Sequence, residues 1–379
     1  MHQVCIRRLL LKLVCFLLLT FLLQAPLFLN IAKANSSNPR EIETASTNQL
    51  RLVVKASPRS AYQTEELFNN KKIVRELKKN NLRSPYEEPV PPDTALSFEE
   101  NGHNYHFGVT AKGEVINLSQ KIIVDLPTYV REVLVEHVRA LRAKHYGEIL
   151  PWEQASEALP KYSKFTITDL ESGLSFEGQR RAGSSHADVQ PLTKQDSATL
   201  KTIYDGAWSW DRKAVLVKLN GRTLAGSMHG MPHGGDGIPG NDFNGHFCIH
   251  FLGSVTHGSR SADPAHQVMV YKAAGLLTEY ISKLNPWQLI DVWISGANQG
   301  DLQLLQVTTG QEQAVHMRTM RRLSKFPELD TSKLLQLDAA VDVSATPEGS
   351  NSTRTRRVLF HLARVSSDTR WYIRSAIIQ

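Results

Sequence analysis

The sequence predicts an α+β protein in which a β-rich domain is followed by a small α+β domain. Three observations predict it. Between residues 163 and 258, period-two stretches are joined at Glu171-Ser172-Gly173 and again at Asn220-Gly221, the strongest short hairpin signal. A helical pattern then runs over 264–282, with Val268, Tyr271, Leu276, Leu277 and Ile281 on its apolar side. Two further apolar strands close the chain, at 357–365 and 371–378.

Taken in order, residues 1–34 read as a signal peptide or membrane anchor. Arg7, Arg8 and Lys12 supply positive charge, an apolar run covers 9–25, and Ala32-Lys33-Ala34 is a small-x-small site. The remainder is therefore expected outside the cytoplasm, in the cell envelope or secreted. It would meet a membrane only through residues 9–28, if that segment is retained. The whole chain carries 44 Lys and Arg against 37 Asp and Glu. Four of the basic residues (Arg7, Arg8, Lys12 and Lys33) lie in the leader, so 40 remain against 37. That balance, with no aromatic-interleaved basic motif, excludes nucleic acid as an expected partner. Of the three cysteines, Cys5 and Cys15 belong to the leader and Cys248 stands alone. A lone exported cysteine is an intermolecular bridge, an inert buried thiol, a metal ligand or a nucleophile.

Residues 35–95, rich in Asn, Ser, Lys and Glu with prolines at 89, 91 and 92, read as a linker holding one weak helix near 71–79. A small α+β unit is expected over 96–160: a strand at 105–109, then a helix after Pro127 with Val130, Val133, Leu134, Val138 and Leu141 in register. His137 and His145 read as surface or core histidines. The β-rich domain covers 163–258, a connecting helix 259–284, and the last domain 285–379, with a helix expected at 311–325. Trp208, Trp210 and Trp287 read as core fillers, with sugar stacking as the alternative.

Six of the 14 histidines fall between residues 229 and 266, among Gly, Pro and Asp. In His246-Phe247-Cys248-Ile249-His250 strand alternation sends the thiol and both imidazoles to one face. Only a thiolate attacks efficiently, and a cysteine needs a neighbouring base to become one. His233 or His229, from the loop before, could be that base.

The stretch from Met228-His229-Gly230 through His233-Gly234 to Gly245-His246-Phe247-Cys248-Ile249-His250 resembles the signature of YkuD-type L,D-transpeptidases, which act on peptidoglycan through a cysteine. The resemblance spans roughly residues 163–258 and implies an L,D-transpeptidase-like catalytic domain without a cofactor. It implies that Cys248 attacks a stem-peptide carbonyl, that His233 (alternatively His229) moves the proton, and that His246 orients the site. Gly245, Phe247 and His250, with His186 and Asp188 from the segment before, are then expected to contact substrate. Phe247 stands where the family has glycine, and His250 where it has Arg or Asn. The C-terminal part resembles the small cone-shaped α+β domains of nuclear-transport-factor-two-like or cystatin-like type.

Two other readings of the same residues stay open. His233, His246, Cys248 and His250, or Cys248 with His186 and Asp188, could bind zinc in a cell-wall hydrolase. Alternatively, Cys248 is a small buried hydrophobe in a non-catalytic envelope binding protein. His257, His266, His316 and His361 carry no specific signal.

Overall fold

Strand β1 (Gln49–Val54) shows how the first layer forms. Its Leu50, Leu52 and Val54 are fully buried at every second position, the signature of a strand with one face on a core. The computed structural model describes residues 48–379 apart from 80, 89, 236, 257, 259, 312–314 and 316. The leader, His257 and His316 lie outside these residues. Although composition predicts a linker over 35–95, its described part folds into β1, β2 (Thr64–Asn69), helix α1 (Lys71–Lys78) and β3 (Leu82–Pro85). The cause of the correction is that Asn, Lys and Glu crowd the exposed faces and mask a regular apolar alternation.

With β4 (Thr94–Glu100), β5 (His103–Val109), β6 (Val115–Asn117) and β7 (Ile122–Val124) these strands build a seven-stranded sheet in the order β2-β1-β4-β5-β6-β7-β3. Helix α2 (Thr128–His145) starts after Pro127 and lays Val130, Leu134, Val138 and Leu141 against the core of that sheet. A short helix, α3 (Trp152–Ala158), leads into the next unit.

There, β8 (Lys164–Asp169), β9 (Ser175–Ala182), β10 (Ala187–Pro191), β11 (Lys213–Leu219), β12 (Arg222–Met228) and β13 (Phe247–His250) close into a barrel, ordered β10-β13-β12-β11-β8-β9. Asn220 and Gly221 turn β11 into β12 with φ of 49° and 77°, as a twist-matched hairpin requires. Val215 and Val217 of β11 fill the barrel, whereas Ala214 and Leu216 face the larger core outside it. A strand covered on both faces is apolar throughout. Helix α4 (Lys194–Ile203), capped by Thr193 and Asp196, bridges β10 and β11.

The single helix expected over 259–284 is two, α5 (Pro264–Ala273) and α6 (Leu277–Ser282). They are broken at Gly275, where φ is 68° and a Cβ would come within 2.5 Å of the Tyr146 ring. Next come α7 (Pro286–Gln299), opened by an Asn285–Gln288 capping box, and α8 (Leu302–Thr309), stopped by the left-handed Gly310. The helix expected at 311–325 is corrected: Met317–Arg322 is a strand, β14, in which Met320 is buried between exposed neighbours. It pairs with β15 (Gln336–Pro347), followed antiparallel by β16 (Arg354–Ala363) and β17 (Tyr372–Ile378). Trp293 of α7 meets Phe360 of β16 edge-on at 5.1 Å, inside a core shared by both open sheets and the helices between them. The molecule is thus a mixed α+β protein built around a six-stranded barrel.

Candidate active site

Strands β10, β13 and β12 lie side by side, with Asp188 opposite Cys248 and Ser227 opposite His250. Alternation splits each strand. Ala187, Val189, Phe247, Ile249 and Met228 belong to the barrel interior. The residues between them, Asp188, Cys248, His250 and Ser227, therefore share the outer face, and His186, His246 and His229 extend it at the strand ends. Helix α5 packs on the Ser227–His250 end of this stripe. Its His266 stacks on His250 at 3.8 Å and shares a 2.8 Å hydrogen bond with Ser227 Oγ through Nδ1.

The loop between β12 and β13 is folded back by one antiparallel bridge. The His233 amide donates to the His246 carbonyl at 3.0 Å, and the His246 amide to the His233 carbonyl at 2.7 Å. Gly245 makes this approach possible: its φ is 115°, and a Cβ there would lie 2.4 Å from the His233 carbonyl oxygen. Gln190 Nε2 donates to the Gly245 carbonyl at 2.6 Å and holds the turn from below.

This bridge brings His233 Nε2 to 3.5 Å from Cys248 Sγ. The other ring nitrogen, Nδ1, is 3.1 Å from the Met231 carbonyl. A carbonyl only accepts, so the network assigns the ring proton to Nδ1 and leaves the Nε2 lone pair facing the thiol. His229 has the opposite tautomer, because its Nδ1 accepts the Met231 amide at 3.3 Å. Burial, reinforced by the Arg212 charge, also pushes the His229 pKa well below its ordinary value.

Asp188 sits among the other groups. Its Oδ1 accepts from Cys248 Sγ at 3.9 Å and lies 3.3 Å from His186 Nε2 and 3.7 Å from His246 Nε2. His186 Nδ1 is 2.8 Å from the Val255 carbonyl and so carries a proton. Burial raises the Cys248 thiol pKa, and Asp188 raises it further by charge and hydrogen bond, whereas Arg212 works the other way. The resting sulfur is a thiol.

Several expected site residues change role. Phe247 is fully buried inside the barrel, edge-on to Phe243 at 5.9 Å, so it anchors the strand and cannot touch substrate. His250, 2% exposed, is stacked between His186 (4.5 Å) and His266 and is likewise shut away from substrate. Gly245 acts through the bridge. His186 and Asp188 are buried beside the thiol and orient its surroundings. Cys248 itself is 3% exposed, and the half-buried His233 and His246 are its more accessible neighbours. Trp210, expected in the core, is instead 48% exposed and lies over both His229 (4.7 Å) and His233 (5.2 Å).

Ser227, Gln190, Arg212 and His266 were not singled out by sequence reasoning. Alternation outward from Met228 and Val189 would have found the first two. Nothing local marks Arg212 or His266. His145 is a core histidine, stacked on Tyr62 at 4.8 Å with Nδ1 on Thr64 Oγ1. Among the described residues, potential metal donors come together in three sets, each within 4.8 Å and each containing Cys248: with His186 and His250, with His229 and His233, and with Asp188 and His246. The four ligands expected for zinc do not form one such set. No family model matches the chain, nor does any curated protein or solved structure.

Proposed function

We propose that this protein is an exported cysteine acyl transferase of the L,D-transpeptidase type, acting on peptidoglycan stem peptides. The observation that carries the reading is the placement of the His233 ring: its Nδ1 lies 3.1 Å from a backbone carbonyl, which assigns the ring proton there, and its Nε2 lies 3.5 Å from the thiol sulfur. That is the arrangement of a general base on a nucleophile, with the backbone as the group that orients the base.

Cys248 Sγ attacks a peptide carbonyl while its proton passes to His233 Nε2. The resulting imidazolium keeps its Nδ1–H on the Met231 carbonyl. As the tetrahedral oxyanion collapses, the C–N bond breaks and the leaving amine takes the proton from His233, which leaves a thioester on Cys248. An amine acceptor attacks the thioester to complete transpeptidation; water in its place gives hydrolysis. Burial suits the thioester, because it keeps bulk water from the acyl-enzyme. In this reading the barrel is the L,D-transpeptidase-like domain. The four-stranded sheet with α7 across it is the cone-shaped C-terminal domain of nuclear-transport-factor-two-like or cystatin-like kind.

Intact-mass analysis with a carbapenem tests the proposal. One adduct on the wild type and none on Cys248→Ala is expected. No adduct, together with peptidoglycan turnover that survives thiol alkylation, would overturn it.

The three donor sets around Sγ favour a second reading, a zinc-dependent hydrolase of the same material, in which the metal displaces the thiol proton. His229, His233 and Cys248 would hold the ion. Turnover abolished by a chelator and indifferent to a carbapenem would select it.

A further inference from the structure

Donor atoms that share one tetrahedral metal ion stand at fixed spacings. With Zn–S about 2.3 Å and Zn–N or Zn–O about 2.0–2.2 Å, neighbouring donors lie roughly 3.3–3.7 Å apart. Asp188 Oδ1 lies 3.7 Å from His246 Nε2 and 3.9 Å from Cys248 Sγ, only slightly wider than that. The three residues also form one of the sets whose donor atoms all lie within 4.8 Å of one another. A small inward movement of these side chains would put all three on one ion, in place of the proton that the thiol now directs at Asp188.

Charge separates this set from the other two. A divalent ion taken out of water needs its charge met by its ligands. Asp188 and the Cys248 thiolate supply two negative charges and cancel that of the ion. His186 with His250, or His229 with His233, adds only neutral nitrogen to the same thiolate and leaves a buried positive charge. His250 is moreover locked between two stacked rings, and His229 carries its proton on Nε2 because Nδ1 accepts the Met231 amide. Of the three favoured ligands His246 is half-buried and the most accessible.

We propose that Asp188, His246 and Cys248 bind one thiophilic divalent cation, Zn²⁺, and that this ion switches the thiol off. The mixed oxygen, nitrogen and sulfur donors suit zinc, and a fourth position is left for water. As the S–Zn bond forms, the thiol proton leaves for solvent and the nucleophilic electron pair of sulfur is committed to the metal. Metal occupancy and acylation therefore exclude each other. This inhibitory site differs from the zinc hydrolase in its ligands and in its effect. It rests on the acyl-transfer reading for its consequence only, not for the binding.

Calorimetric titration of the purified, untagged wild type with zinc chloride should show one site. Asp188→Asn and His246→Ala should each weaken it by more than ~10-fold and Cys248→Ala should abolish it, whereas His229→Ala should keep it, with folding checked by melting temperature. Zinc should also protect wild-type Cys248 from iodoacetamide, and a chelator should restore alkylation; this arm carries the test even if no variant folds. Zinc should suppress the carbapenem adduct to the same extent. No zinc binding, alkylation of the zinc-loaded protein at the metal-free rate, or affinity lost in His229→Ala and kept in Asp188→Asn would overturn the proposal. Zinc binding and protection without any carbapenem adduct would uphold the site and overturn the acyl-transfer reading instead.

Discussion

At the scale of single residues, His233 and His229 are separated by which ring nitrogen the Met231 backbone takes. Its carbonyl binds Nδ1–H of His233 and leaves Nε2 able to accept a proton; its amide donates to Nδ1 of His229 and forces that ring's proton onto Nε2. His233→Ala should therefore slow acylation of Cys248 by ~10²–10⁴-fold, the usual worth of a general base, and His229→Ala by clearly less. Time-resolved mass spectrometry of the carbapenem adduct measures both, and equal losses would remove the distinction. The raised thiol pKa makes a further prediction. Alkylation of native Cys248 by iodoacetamide should still be accelerating above pH 9, where an ordinary cysteine, with a pKa of about 8.5, approaches its plateau.

Among elements, the short strand β13 and the loop before it divide the work. Phe247 and Ile249 hold the strand in the barrel, so Phe247→Ala should cost about 3–5 kcal/mol of unfolding free energy in denaturant titrations. Gly245→Ala acts differently. Its Cβ would meet the His233 carbonyl, and φ of 115° is strained for alanine, so the His233–His246 bridge should open. Acylation should fall by more than ~10-fold while far-ultraviolet circular dichroism stays native, because a 1 Å displacement of a base is costly. Retained acylation in this variant would show that the bridge does not position His233.

Over the whole molecule, buried charges and histidines tie the layers and set the response to acid. Lys272 of α5 is 3% exposed and joins Glu171, in the β8–β9 turn, to Asp301, the cap of α8. Burial works to lower its pKa, but the two carboxylates prevail and raise it. Lys272→Met leaves both carboxylates facing each other and should cost about 3–5 kcal/mol. Among the buried histidines, His145 is held down to about 4, chiefly by desolvation, and His229 and His266 are held well below their ordinary value. Unfolded, these rings bind protons near pH 6.5, whereas the fold excludes them. The stability these three histidines contribute is therefore fully present above that pH and falls as pH drops toward 4, by at most ~1.4 kcal/mol per pH unit for each histidine. Thermal melts between pH 7 and 4.5 should show it, and a flat profile would contradict it.

Local information in the sequence determined the hairpin at Asn220-Gly221, the helix after Pro127, the β-rich stretch and the face shared by His246, Cys248 and His250. Each depends on a two-residue turn or a period of 2 or 3.6, which neighbours in sequence are enough to specify. Tertiary structure decided the rest. The stretch read as a linker became edge and central strands because partners 40 residues away completed its sheet. The expected helix at 311–325 became β14 because β15 offered it hydrogen bonds. Phe247 and His250 left the substrate side once the barrel interior and α5 claimed them, and Trp210 came out of the core to cover His229 and His233. His266 and Arg212 joined the site only through packing across the fold. Even the tautomer of His233 was a tertiary matter, since it rests on a single carbonyl that the loop, closed by Gly245, presents to one ring nitrogen.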